Sequence, residues 1–223
     1  MIKENLGKIK ASIPNNVILV AVSKTKPESD IQEAYDAGQR VFGENYPQEM
    51  RDKHEALPKD IQWHFIGHLQ TNKIKYIINY VTLIHRIDTA NLLEAVNKEA
   101  RKHNRVVDCL LQFHIALEET KFGLDLDEAR QLLDSEAFKQ MENVRICGVM
   151  GMGTFTDDME EVRREFKHLK SIFDILKQDY FAGQPQFKEI SMGMSEDYPI
   201  AIEEGATLIR VGSKIFGPRN YNV

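Results

Sequence analysis

The stretch "VILVAVSKTKP", residues 17–27, decides how the rest of the chain is read. Six of its first seven residues are apolar, and the run closes on Ser23 and Lys24. A continuous apolar run, rather than an alternating one, marks a strand covered on both faces, as in a parallel sheet. A lysine at the end of such a strand is costly unless it is solvated or used.

Seven more strands are expected along the chain: "VFG" (41–43), "WHFIG" (63–67), "TLIHRI" (82–87), "VVDCLLQFHI" (106–115), "RICGVMGM" (145–152), "FKEISMG" (187–193) and "LIRVG" (208–212). Helical periodicity fills several of the gaps. "ESDIQEAYDAG" puts Ile31, Ala34 and Tyr35 on one face, with Ser29 and Gln32 as a capping box and Gly38 as the stop. "TANLLEAVNKEARKHN" carries Leu92, Leu93, Ala95, Val96 and Ala100 behind Thr89 as N-cap. "MEEVRREFKHLKSIFDILKQD" carries Val162, Phe166, Leu169, Ile172, Phe173 and Leu176 at spacings of three and four. "SEDYPIAIEEGA" reads as a short helix stopped by Gly205. Strands alternating with helices predict an α/β chain, a single (β/α)8 TIM-type barrel, with an open doubly wound sheet as the alternative. With no linker or repeat in view, residues 1–223 are expected to form one domain.

Composition narrows the function classes. Hydrophobic residues at 42% and charged residues at 28% are an ordinary globular balance. A net charge of −5 gives no general drive toward nucleic acid or an anionic membrane, so neither is expected as a partner. Cys109 and Cys147 each sit in an apolar run, without CxxC spacing or nearby ligand sets, which predicts reduced core thiols and no metal. "MIKENLGKIKASI" lacks the apolar core of a secretory signal, and no stretch reaches the ~18–20 apolar residues of a membrane span. A cytoplasmic protein is expected.

In a parallel barrel, chemistry gathers where the strands end. The first strand delivers Lys24, the second "GENY", the third "WHFIGHLQTNK", the seventh "SMGMSED" and the eighth "IRVGSKIFG". Lys24 has two readings by position. It can snorkel to the rim, or it can be a partly desolvated amine with enough neutral form to make a Schiff base. Lys26, beside Pro27, reads as a solvated surface charge. Ser195 serves either as a helix N-cap or as a phosphate ligand, since the loops after strands seven and eight are the frequent phosphate site of barrels. Glu196 and Asp197 would repel a phosphate and are expected to point away. Gly212 permits close backbone approach, Ser213 offers a hydroxyl, and Arg210 stands at the pocket edge. A phosphate site, a strand-end lysine and an arginine describe a phosphorylated aldehyde, for which pyridoxal 5′-phosphate (PLP) fits best.

The motifs "AVSKTKP", "FGENYPQE", "WHFIGHLQTNK", "KFGL" and "SMGMSEDYPIAIEEGATLIRVGSKIFGPRNY" occur in order from Val17 to Tyr221. Together they resemble the pyridoxal-phosphate homeostasis proteins. The resemblance implies one barrel related to the N-terminal domain of alanine racemase and to the barrel of ornithine decarboxylase. It implies a PLP Schiff base at Lys24, Asn45 near the cofactor ring, Arg210 facing the pyridine nitrogen, and Ser195, Gly212 and Ser213 on the phosphate. His64 and Met192 are candidates for the pocket wall. Ser213 stands where the resembling proteins have threonine, and "GVMGMGTFTDD" lacks their proline-containing loop after strand six.

Arginine only donates hydrogen bonds, so a ring nitrogen facing it stays unprotonated and the ring is a weaker electron sink. The racemases and decarboxylases of this resemblance also carry a further β-domain and dimer contacts. The expected function is therefore a PLP carrier in vitamin B6 homeostasis, a monomer, without robust turnover, supplying apo PLP-dependent enzymes. The alternative is a PLP enzyme on small amino acids, racemase-like. It would need a second base, for which Tyr46, His64, His68 and Tyr221 are the neighbours in motif terms. A phosphosugar-binding barrel enzyme is a third reading. Lys73 and Lys75, in "LQTNKIKY", are expected either to guide PLP across the rim or to be a solvated helix face.

Overall fold

The computed structural model describes residues 1–117 and 122–218. Eight parallel strands close on themselves in chain order: β1 (Ile18–Val22), β2 (Val41–Glu44), β3 (Gln62–Phe65), β4 (Leu83–Ile87), β5 (Val107–Phe113), β6 (Val144–Gly151), β7 (Glu189–Ser191) and β8 (Leu208–Val211). The β1–β8 ladder aligns Val20 with Arg210, and β1–β2 aligns Ala21 with Phe42. The expected barrel stands, and the open sheet is excluded.

Nine helices surround it among the described residues: α1 (Ile2–Ser12), α2 (Glu28–Asp36), α3 (Pro47–Ala56), α4 (Ala90–Lys102), α5 (Leu126–Asp134), α6 (Glu136–Lys139), α7 (Met159–Asp179), α8 (Tyr198–Glu203) and α9 (Ser213–Phe216). A 3-10 turn covers Thr71–Tyr76. The long helices follow their apolar stripes. In α7, Val162, Phe166, Leu169, Ile172 and Leu176 are buried, each side chain contributing roughly 1.5–3 kcal/mol relative to exposure. Thr89 caps α4 by accepting from Leu92 N at 3.1 Å. Gly38 and Gly205 end their helices at φ of +93° and +103°, a conformation that favours glycine.

One capping expectation fails, and one of the two readings of Ser195 is removed. At α2 the N-cap is Pro27, whose ring sets φ at −69°, and Gln32 bonds Asp36 rather than reaching back. At α8 the N-cap is Asp197, so Ser195 is left free of a capping role. A true capping box does form at α5, where Asp125 and Glu128 exchange bonds of 2.8 Å.

The core has two parts. Most buried apolar residues lie between strands and helices. A smaller cluster of Val20, Leu83, Leu110, Cys147, Met150 and Leu208 comes from five strands. Alternation along those strands puts it inside the barrel, where side chains fill the lumen beneath the mouth. No described helix is long and apolar enough to cross a membrane. Cys109 and Cys147 are free and buried, and among the described residues no His, Cys, Asp and Glu cluster could hold a metal.

Candidate functional site

A cavity of about 570 Å³ opens at the C-terminal ends of the strands. Six of the eight sequence-predicted residues line it: Lys24, Asn45, Ser195, Arg210, Gly212 and Ser213. His64 and Met192 do not. Met192 is fully buried in the main core, and His64 points into the barrel interior to meet His85 at 2.9 Å. Alternation explains Met192, one residue beyond the inward-facing Ser191, while His64, two residues before the cavity-lining Ile66, points the same way but one layer deeper.

Lys24 leaves β1 over a buried polar cluster. Lys53, on α3, donates to Ser23 O, Glu44 Oε1 and Glu49 Oε1, each at 2.7 Å. Ser23 Oγ donates to the same Glu44 oxygen at 2.6 Å. Glu49 also accepts from Thr25 N at 2.6 Å. Thr25 has φ +62°, an unusual conformation for a β-branched residue, and it follows Lys24 directly. The backbone on both sides of Lys24 is thus clamped from α3. Glu44 is fully buried and its Oε2 has no hydrogen-bond partner among the described residues. Burial pushes its carboxyl up from 4.5 to about 7, against the pull of Lys53.

Arg210 enters the wall from β8. Its Nη1 donates to Ser191 Oγ at 2.5 Å and its Nη2 to Gly151 O at 3.1 Å. Burial lowers its pKa to about 10, which still leaves it charged at neutral pH. Next to it, Ser195 Oγ accepts from Gly212 N at 3.4 Å. A Cβ at residue 212 would stand 3.1 Å from Val22 O, so glycine lets β8 and β1 approach there. Gly67 does the same beneath Asn45. A Cβ at 67 would stand 2.2 Å from Asn45 O, and no side chain fits without moving that backbone.

Several features depart from expectation. Glu196 and Asp197 both line the cavity, and Asp197 is buried with Oδ1 accepting from Met194 N at 2.6 Å. That bond, together with the attraction of Arg210, offsets part of the burial that raises its pKa. Lys26 is not a free surface charge. It lines the cavity and donates to the carbonyls of Phe216, Gly217 and Pro218 at 3.1, 3.3 and 2.8 Å. Lys73 and Lys75 lie 5.6 and 5.2 Å from the Tyr76 ring centre, which Arg51 also faces at 5.1 Å, and neither lies in the cavity wall. Tyr46 and His68 are exposed and outside the wall, and Tyr221 lies outside the described residues. The "MGTFTD" segment after β6 supplies one side of the mouth, through Met152 to Asp157.

Sequence reasoning missed Arg86, which reaches the cavity from β4 with Nε donating to Gln112 Oε1 at 2.9 Å. An arginine inside an otherwise apolar strand was the available signal. It also missed Lys53, whose i,i+4 spacing from Glu49 was legible but whose burial was not.

The family model for the alanine racemase N-terminal domain matches residues 1–220. A pyridoxal phosphate homeostasis protein of Aquifex aeolicus is 42% identical over 204 residues, covering 91% of this chain and 87% of that protein. PipY of Synechococcus elongatus, solved with PLP bound, is 36% identical with a TM-score of 0.87, covering 97% of this chain and all of that one. Alanine racemase of Clostridium difficile, at 12% identity and a TM-score of 0.77, shares the fold over 60% of its own length. With its barrel matched from end to end and its relatives matched over most of theirs, the chain belongs to the alanine racemase N-terminal domain family and, within it, to the pyridoxal phosphate homeostasis proteins.

Proposed function

We propose that this protein holds PLP in the cavity as a Schiff base on Lys24 and serves intracellular PLP homeostasis as a reversible carrier. The observation that carries the reading is the convergence of Lys24, Asn45, Ser195, Arg210, Gly212 and Ser213 on one cavity. The residues fit the group. Asn45 has a buried side-chain oxygen with no partner among the described residues, which a polar ligand would satisfy. Lys24 supplies the amine, and the charged Arg210 faces the ring. Ser195, Ser213 and the backbone at Gly212 supply donors for the phosphate. When bound, PLP supplies an aldehyde that condenses with an amine, with loss of water, and an electron-withdrawing ring.

A carrier is favoured over a racemase by the relatives, which are pyridoxal phosphate homeostasis proteins. Racemisation needs a second acid–base group facing the reacting carbon from the other side. The described residues lining the cavity offer no histidine or tyrosine for this role; its carboxylates are Asp157, Glu196 and Asp197, of which Asp197 accepts from Met194 N, and Lys26 is engaged by three carbonyls. We infer a monomer that acts as one unit over residues 1–223 and hands PLP to apo-enzymes. Two buried free thiols suit a cytoplasmic location.

The test mixes PLP-loaded protein with an apo-aminotransferase and follows recipient activity beside donor absorbance. A parallel assay follows conversion of L-alanine to D-alanine. Transfer without racemisation supports the carrier. Racemisation that disappears in Lys24→Ala would establish the enzyme instead.

A further inference from the structure

His64, absent from the cavity wall, is the far end of a buried hydrogen-bond chain that reaches it. His64 Nδ1 lies 2.9 Å from His85 Nε2, His85 Nδ1 lies 2.8 Å from Ser191 Oγ, and Ser191 Oγ lies 2.5 Å from Arg210 Nη1. All four side chains are buried, and they come from β3, β4, β7 and β8. Arginine can only donate, so Ser191 Oγ accepts from Arg210. The serine proton then has one acceptor within reach, His85 Nδ1. The opposite arrangement, with His85 Nδ1 protonated, would leave the hydroxyl proton of a fully buried serine without an acceptor, and that is costly. His85 therefore carries its proton on Nε2 and donates it to His64 Nδ1, and His64 carries its own proton on Nε2.

We infer that Ser191 and His85 are positioning residues that hold the Arg210 guanidinium in the cavity wall, through a directed chain in which both histidines are neutral Nε2–H tautomers. The consequence for PLP rests on the function proposed above. Burial independently keeps both imidazoles neutral, His64 at about 3 and His85 well below its ordinary value. Neighbouring bonds in such a chain polarise one another. With Nη1 on Ser191 and Nη2 on Gly151 O, both terminal nitrogens of Arg210 are fixed from behind the wall.

Two measurements test this. In the cofactor-free protein, long-range ¹H–¹⁵N NMR should show His64 and His85 both protonated at Nε2 only. Ser191→Ala should release His85 into a mixture of tautomers, and Ser191→Thr should keep the wild-type pattern. A His85 protonated at Nδ1 in wild type would overturn the chain whether or not PLP binds. In the second measurement, Ser191→Ala and His85→Phe should weaken PLP binding by about tenfold and move the absorbance band of bound PLP, while Ser191→Thr restores both. A loss of thermal stability with band and affinity unchanged would reduce the chain to a structural role and overturn the positioning claim. If wild type binds no PLP, the proposed function fails, and the tautomers alone decide the chain.

Discussion

Glu44 makes stability depend on pH in a direction that can be worked out from the fold. Its carboxyl titrates at about 7 in the folded protein against an ordinary 4.5, because burial outweighs the attraction of Lys53. The folded state therefore holds this proton more tightly than the unfolded chain. As pH rises, the unfolded chain ionises first, so the stability from this group is complete below pH 4.5 and is lost as pH rises to about 7. At about 1.4 kcal/mol for each pH unit between the two values, the full loss is about 3 kcal/mol, most of it between pH 5 and pH 8. Glu44→Gln keeps the shape, and its side-chain oxygen still accepts from Ser23 Oγ and Lys53 while being neutral at every pH. Urea unfolding of both proteins at pH 5 and pH 8, read from the single buried Trp63 and from circular dichroism, measures the effect. The variant should gain roughly 2–3 kcal/mol on wild type between the two pH values. Equal differences between the proteins at both pH values would refute the reasoning.

Other positions give sharper or milder outcomes. Gly67→Ala places a methyl 2.2 Å from Asn45 O and must displace that backbone. It should cost about 1–3 kcal/mol in unfolding experiments and weaken PLP binding in a fluorescence titration, and a variant with wild-type affinity would detach Asn45 from the site. Lys26→Met removes three bonds to the last residue of α9 and the two that follow it, and should speed PLP release several-fold, at roughly 1 kcal/mol in stability. An unchanged release rate would mean that this segment does not gate the cavity. Because Lys73 and Lys75 face Tyr76 rather than the cavity, their double substitution to alanine should change PLP on- and off-rates by less than about twofold. A tenfold change in stopped-flow measurements would restore them as guides.

The barrel was legible because its strands are continuous apolar runs, and each of the eight appeared within a few residues of its expected place. The short helices were harder. α1 spaces Ile2, Leu6 and Ile9 for one buried face, but Lys3, Glu4, Asn5 and Lys8 between them hide the stripe. α3 has strongly polar sequence and buries Lys53, which no hydrophobic pattern announces. At the site, strand ends led to Lys24, Arg210 and the loop glycine at 212, which line the cavity, since position along a parallel strand fixes which layer a residue joins. His64 and Met192 show the limit of that reasoning, because one step along a strand turns Met192 to the outer face and two steps down put His64 a layer below the mouth. Glu44 was part of a recognised motif, yet its pairing with Lys53 is a contact between elements and has no local signature.

The central claim is the covalent hold of Lys24 on PLP. Its most direct test is an absorbance spectrum of the purified protein with added PLP, repeated on Lys24→Ala and after borohydride. Wild type should show a band at ~420 nm that borohydride abolishes while fixing the cofactor to Lys24 in a peptide map. No such band in wild type, or the same band in Lys24→Ala, would contradict the account.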